Sequence, residues 1–192
     1  MHKTGTSEIL DLTPNSPLKI MDQRFSGKKA WIKEELSEAD WKIKLTKKAI
    51  KEICSMTDSI SSNPLPIHLR EAGQFKIPEL RMLFSKANKI LNQECGFCVI
   101  ESMPMEEIPS EEMVECYWIL SQLIGRTVSQ KWDGTMIYDV TDTGQSLSYG
   151  VRGSYTNVEL FFHNDNAFEI CLPEYVGLFC KNQALKGGSS RF

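Results

Sequence analysis

A histidine and an aspartate stand two residues apart in His163-Asn164-Asp165, directly after the apolar run Asn157–Phe162. If that run is a strand, side chains two positions apart point to the same face, so the imidazole and the carboxylate can reach one metal ion. A neutral imidazole and a carboxylate are two of the three ligand types that hold Fe(II) in non-haem oxygenases. The alternative is a surface turn, because Asn164, Asp165 and Asn166 are good turn formers.

A second candidate is the motif Cys95-Gly-Phe-Cys98, which has the spacing of zinc and redox sites. A structural zinc site needs a second pair of ligands, and the sequence contains no further CxxC and no HxxxH. A redox CxxC usually opens a helix, whereas this motif enters the apolar run Phe97–Ile100, which is typical of a strand. We therefore expect buried strand cysteines, with redox or metal chemistry as the alternative.

The composition restricts the class of protein. Of the 192 residues, 41% are hydrophobic and 24% are charged, and the net charge is −3. This balance argues against a strongly basic nucleic-acid-binding protein and against an acidic disordered chain. No apolar stretch approaches the roughly 20 residues of a membrane-spanning helix, and the N-terminus lacks the apolar core of a secretory signal. We expect a cytoplasmic protein with reduced cysteines and with neither a nucleic acid nor a membrane as partner.

Helical patterns fill the first two thirds of the chain. Ser37-Glu-Ala-Asp40 resembles a capping box, and apolar residues at four-residue steps after it predict one amphipathic helix. These apolar residues are Trp41, Leu45, Ala49 and Ile53. Pro78 predicts the first turn of a second helix, which Gly96 ends. Ser110 is predicted to cap a third helix, which Gly125 ends.

Strand patterns dominate from about residue 128 onward. These later predicted strands cover 136–140, 157–162 and 175–181, and a turn is predicted at Asp142–Gly144. One earlier strand is predicted at 97–102, between the second and third helices. Helices followed by a sheet that begins late in the chain predict an α+β fold. Prolines and glycines interrupt the weak periodicity of residues 1–35, so we predict an irregular segment there and one domain over 36–192.

Three segments of the chain together resemble the TauD/TfdA family of Fe(II)- and 2-oxoglutarate-dependent dioxygenases. The family pattern is an apolar strand with His-x-Asp/Glu, a Pro before a second apolar strand, and Gly-Gly-x-Ser/Thr. It is matched by Asn157–Phe168, Pro173–Cys180 and Gly187–Ser190, and upstream by Cys95–Ile100, Ile124-Gly125 and Gln130–Gly134. The resemblance covers roughly residues 75–192. It implies a double-stranded β-helix, or jelly roll, whose opening strands follow the N-terminal helices.

The resemblance also implies roles for individual residues. His163 and Asp165 correspond to two of the three iron ligands, and Ser190 corresponds to the residue that hydrogen-bonds a 2-oxoglutarate carboxylate. Asn157 precedes the metal strand, where some relatives contact co-substrate or substrate. Arg152 is a weaker candidate for a substrate carboxylate, with a surface-loop arginine as the alternative. The implied cofactor is Fe(II), with 2-oxoglutarate and O2 as co-substrates and a small molecule, such as an amino acid or a similar acid, as substrate.

The chain departs from the family pattern at the third iron ligand. Relatives use a distal His far downstream, followed by an Arg that binds the far carboxylate of 2-oxoglutarate. This sequence has three histidines, His2, His68 and His163, and none follows Asp165. We therefore expect the N-terminal portion of such an enzyme, with a domain that is incomplete at its C-terminal end and inactive alone. The alternative is a degenerate, non-catalytic binding or interaction protein.

Overall fold

The regular secondary structure lies before residue 122 in the computed structural model, which describes residues 24, 26–101, 103–131, 133–166 and 172–191. Its helices and strands are α1 (Glu38–Trp41), β1 (Lys42–Lys44), α2 (Lys47–Ser62), α3 (Pro78–Gln93), β2 (Val99–Glu101) and α4 (Ser110–Ser121). Short 3-10 turns cover Gly27–Lys29, Lys33–Glu35, Ile67–Leu69, Ala72–Gln74 and Gly153–Tyr155. Helices together with a small two-stranded parallel sheet are compatible with the α+β class. The prediction that the sheet begins late in the chain is wrong for the described residues, because its strands β1 and β2 lie before α4.

The prediction of one helix from Ser37 onward is wrong, because a strand interrupts it. Helix α1 does begin after Ser37, whose backbone N–H and hydroxyl both donate to the Asp40 carboxylate, at 2.8 and 2.7 Å. The chain then leaves the helix to form β1, which pairs in parallel with β2. Helix α2 starts afresh after Thr46, whose hydroxyl accepts from the Ala49 N–H at 3.1 Å. The backbone bonds of the sheet thus replace helical bonds within a continuous apolar pattern.

Helix α3 begins and ends where the sequence predicts. Pro78 occupies its first turn, where the missing N–H of proline costs nothing. The helix ends just before Gly96, which has a φ of 87° and donates its N–H to the Ile90 carbonyl oxygen at 3.2 Å. A left-handed glycine of this kind satisfies carbonyl groups that would otherwise be unpaired.

The third predicted helix and the first predicted strand are also present. Strand β2 lies inside the predicted range 97–102, and its register with β1 pairs Ile43 with Ile100. Helix α4 begins one residue earlier than predicted. Its N-cap residue is Pro109, and no side chain caps the helix. Ser110 is therefore the first helical residue rather than the cap.

The hydrophobic core lies between helices α2, α3 and α4. Its largest fully buried side chains are Ile53, Met56, Leu80, Met113, Ile119 and Cys116. Each helix contributes one apolar face, so burial of these side chains supplies most of the energy that holds the helices together. No helix in the described part of the chain is long and apolar enough to cross a membrane.

The strands predicted over 136–140, 157–162 and 175–181 are not strands in the structure. An apolar segment becomes a strand only when a neighbour pairs with its backbone, and these segments lack such a ladder among the described residues. The segment 175–181 instead packs on the helices: the Tyr175 hydroxyl donates to Asn92 Oδ1 at 2.8 Å, and Phe179 stacks on Tyr117 with ring centroids 5.4 Å apart. The predicted turn at Asp142–Gly144 is present, because the Gly144 N–H donates to Asp142 Oδ1 at 2.8 Å.

Candidate metal centre

The ring of His163 is oriented by the backbone two residues before it. Its Nδ1 lies 2.7 Å from the Phe161 carbonyl oxygen. A carbonyl oxygen only accepts, so Nδ1 carries the proton and donates. The neutral ring is then the tautomer in which Nε2 has a free lone pair, and a backbone carbonyl on the other nitrogen is a common way to prepare a histidine for a metal.

The free nitrogen of His163 faces the carboxylate of Asp165. His163 Nε2 and Asp165 Oδ1 are 3.7 Å apart, and each side chain is about half exposed, at 52% and 51%. Two ligands that each lie about 2.1 Å from one ion can be no more than about 4.2 Å apart. The separation therefore suits two ligands of a single ion, and the half exposure leaves the pair open on one side.

The surface-turn interpretation of the same residues also holds. Residues 165 and 166 lie in a turn, and Asn166 has a φ of 51°, in the left-handed region that asparagine tolerates better than most residues. Asp165 is itself a residue of this turn, so the local backbone positions its carboxylate. Turn and ligand pair are thus compatible descriptions of one segment.

A third ligand is not assembled by the described residues. No group of three His, Cys, Asp or Glu side chains that could hold a metal ion is formed within them. His2 lies outside the described residues, and His68 is an exposed residue of the 3-10 turn Ile67–Leu69. His163 and Asp165 therefore stand as a pair.

The other three predicted site residues are exposed and are not joined to the pair. Arg152 precedes the 3-10 turn Gly153–Tyr155, and Asn157 and Ser190 lie in irregular backbone. Among the described residues, no hydrogen bond or ion pair connects any of them to His163 or Asp165. The structure thus brings together two of the five predicted site residues.

The cysteines of the CxxC motif pack against the core in the irregular segment just before β2, so the prediction that they are strand residues is wrong. Cys98 is only partly buried. Cys95 is buried, as predicted, and its Sγ donates to the Phe97 carbonyl oxygen at 3.3 Å. Burial raises the pKa of the Cys98 thiol to about 11, with a smaller contribution from the neighbouring Cys95. A thiol with so high a pKa holds little thiolate at neutral pH, which argues against redox chemistry at Cys98.

The hydrogen bond from His163 to the Phe161 carbonyl oxygen cannot be predicted from the sequence. Phe161 was predicted only as an apolar strand residue, and its side chain is 87% exposed. What it contributes to His163 is a backbone oxygen, which every residue possesses. Only the local chain path, in which His163 turns back on its own segment, identifies this acceptor.

One comparison with known proteins identifies a family. The sequence model of the family described as "Taurine catabolism dioxygenase TauD, TfdA family" matches residues 61–192, about two thirds of the chain. The match includes His163, Asp165 and Ser190. No curated protein matches the sequence.

Proposed function

Because the chain belongs to the TauD/TfdA family of dioxygenases, we propose that it serves in non-haem Fe(II)- and 2-oxoglutarate-dependent oxidation of a C–H bond. The substrate class is a small molecule, with amino acids and similar acids among the candidates. The proposal includes the jelly roll of the family, for which residues 36–192 supply the helices and the opening segments.

The observation that carries this proposal is the orientation of His163 toward Asp165. His163 Nδ1 carries the proton and donates it to the Phe161 carbonyl oxygen, so Nε2 presents a lone pair toward the Asp165 carboxylate, 3.7 Å away. Imidazole nitrogen and carboxylate oxygen are two of the three ligand types of Fe(II) oxygenases. Fe(II) held there would supply, with O2 and 2-oxoglutarate, the oxidising power for the substrate C–H bond.

The other three predicted site residues would bind and orient the co-substrate and the substrate. Ser190 would donate its hydroxyl to a carboxylate of 2-oxoglutarate, and the positive φ angles of Gly187 and Gly188, 88° and 75°, bend the chain just before it. Asn157 would contact co-substrate or substrate, and Arg152 a substrate carboxylate. All three polar side chains are exposed, so they are free to turn toward bound molecules.

A second candidate function is a non-catalytic binding or interaction protein. It is favoured by the ligand set of the described residues, which assemble no group of three metal ligands around His163 and Asp165. Two protein ligands hold an ion more weakly than three and leave the co-substrate less constrained. The two candidates differ in turnover, because only the dioxygenase converts 2-oxoglutarate to succinate.

Metal binding tests the site. Isothermal titration of the 192-residue chain with Fe(II) under argon should give one weak site. We expect His163→Ala and Asp165→Ala each to lower its affinity by at least about tenfold, because each removes a ligand. The matched control is Glu159→Ala, which removes a nearby exposed carboxylate. Unchanged affinity in both ligand variants would overturn the iron assignment.

Succinate release separates the two candidate functions. With Fe(II), ascorbate and 2-oxoglutarate, we expect the 192 residues alone to stay at the level of the no-protein control. In the native gene product, release that depends on the metal and on His163 supports the dioxygenase. Metal binding without any release there would support the non-catalytic alternative.

A further inference from the structure

A cleft of about 440 Å³ lies on the helical part of the molecule, away from His163 and Asp165. It opens between the 3-10 turn Ala72–Gln74, the first turns of α3 and the segment that follows α4. Three basic side chains from distant parts of the sequence line it: His68, Arg81 and Arg126.

The floor of the cleft is held by hydrogen bonds to the end of α4. Trp118 Nε1 and Gln122 Nε2 both donate to the Arg70 carbonyl oxygen, at 3.2 and 2.8 Å. Gln122 Oε1 accepts from the Ala72 N–H at 3.1 Å. Asn88 holds the wall next to Gly125, since its side-chain amide donates to the Ile124 carbonyl oxygen at 3.1 Å. A floor fixed in this way does not have to be ordered when a ligand binds.

The basic side chains retain unused donors. Arg81 Nη2 donates to the Ala72 carbonyl oxygen at 2.7 Å, which holds the guanidinium against the wall and leaves its other N–H groups available. Arg126 and His68 have no ion-pair or hydrogen-bond partner for their side chains among the described residues. Glu71 is the single acidic residue among the described residues of the lining.

The fourth basic residue of the cleft is not available to a ligand. The side chain of Arg70 is buried and turns away from the floor, where its Nε donates to Glu115 Oε2 at 3.1 Å. Its Nη2 donates to the carbonyl oxygens of Ile60 and Asn63. The excess of positive charge in the cleft therefore comes from Arg81 and Arg126.

We propose that this cleft binds the oxyanion group of a small molecule, a carboxylate or a phosphate. A guanidinium offers two parallel N–H donors that match two oxygens of either group. The guanidinium groups of Arg81 and Arg126 give the cleft a positive charge that Glu71 offsets only in part. A bound anion would neutralise the remainder. The cleft shares no lining residue with the proposed iron pair, so this inference stands apart from the proposed function.

Amide chemical shifts of the 15N-labelled chain test the inference, with inorganic phosphate and malonate as probes at constant ionic strength. We expect saturable shifts at the amides of Gly73, Gly125 and Thr127 with at least one probe. The stronger probe identifies the group as phosphate or carboxylate. Arg126→Gln should weaken that binding by about tenfold or more, because it removes a charge-assisted pair of bonds.

The control is Arg24→Gln, which removes an exposed arginine outside the cleft and lowers the net charge by the same amount. It should leave the shifts unchanged. His68→Gln provides a second variant, with an expected smaller loss of binding than Arg126→Gln. Absence of saturable shifts with both probes, or equal weakening by Arg24→Gln and Arg126→Gln, would overturn the proposal.

Discussion

Burial sets the acidity of the Cys116 thiol, which lies in the core between the helices. Burial raises the pKa of Cys116 to about 12, and nearby acidic groups add to the effect. The thiol is less acidic in the folded than in the unfolded chain, where its pKa is near 9, so its deprotonation favours unfolding. The free energy of unfolding should therefore decrease as the pH rises from about 9 to about 12, and this contribution is fully present below pH 9.

The slope of that decrease identifies the group. Urea unfolding at several pH values from 8 to 11 should give a shallower slope for Cys116→Ala than for the unsubstituted chain, by up to about 1.4 kcal/mol per pH unit. Cys180 is exposed, so Cys180→Ala is the matched control and should keep the original slope. Equal slopes for all three proteins would mean that Cys116 ionises as freely in the folded state as in the unfolded state.

At the scale of single residues, the sequence predicted which groups could meet but not how they are held. The spacing of His163 and Asp165 is weak evidence by itself, and the family resemblance singled the two residues out. Their side chains lie 3.7 Å apart although the segment before them is not the strand on which the spacing argument rested. The Phe161 carbonyl that sets the tautomer has no signal in the sequence, because backbone oxygens are not specific to a residue type. The cleft residues Arg81 and Arg126 were missed for a related reason, since only packing of separate elements brings them together.

Among the secondary-structure elements, α2 and α3 are joined by a carboxylate of α2 that caps the N-terminal end of α3. Glu52 on α2 accepts from the backbone N–H groups of Glu79 and Leu80, at 3.0 and 2.9 Å, in the first turn of α3. A negative charge there pairs two free N–H groups and interacts favourably with the helix dipole. We expect Glu52→Ala to lower the free energy of unfolding by about 1–2 kcal/mol.

Two variants separate the parts of this capping interaction. Glu52→Gln keeps one acceptor oxygen but loses the charge, so urea unfolding should place it between Glu52→Ala and the unsubstituted chain. Lys51→Ala changes the exposed neighbour and should stay within about 0.5 kcal/mol. If Glu52→Ala has no larger effect than Lys51→Ala, the bonds across the two helices contribute nothing to stability.

A buried arginine joins the segment after α2 to α4. Arg70 is 3% exposed, and its guanidinium pairs with Glu115 and with the carbonyl oxygens of Ile60 and Asn63. Arg70→Met leaves these acceptors without a donor, so we expect a loss of about 3–5 kcal/mol of unfolding free energy. Glu115→Gln retains an acceptor for Arg70 and should cost about 1 kcal/mol in the same urea titration. Similar losses in both variants would contradict this view.

The sequence predicted elements well where local signals decide them and poorly where partners decide them. Pro78 and Gly96 define the ends of α3 through backbone chemistry that lies within the helix itself. Strand β1 was missed because its apolar residues also fit a helical pattern, and pairing with β2 more than 50 residues away decided the outcome. For the later segments the prediction is wrong in the opposite direction: they have strand propensity but no pairing neighbour among the described residues, and their backbone is irregular.

In the molecule as a whole, burial is distributed unevenly along the chain. The buried hydrophobic residues run from Ile43 to Leu120, whereas many large apolar side chains after residue 126 are exposed. Prominent among the latter are Tyr149, Leu160, Phe161, Phe162, Leu178 and Leu185. Many exposed large apolar side chains in one region of a chain are typical of a region that makes contact with another surface. The helical part can therefore hold its own core, while the later part presents apolar side chains to its surroundings.

This distribution predicts that the 192-residue chain associates with itself. Phe161 and Phe162 are 87% and 80% exposed, and covering them removes a large apolar area from water. Sedimentation velocity across a hundredfold range of concentration should show a rising average mass, and Phe161→Ser combined with Phe162→Ser should shift that rise to higher concentration. Met82→Ser is the matched control, because Met82 is a similarly apolar residue, 57% exposed, on α3. Since the backbone oxygen of Phe161 survives its substitution, Fe(II) binding should persist in the double variant. A mass that stays monomeric at every concentration would show that these side chains find cover within one chain.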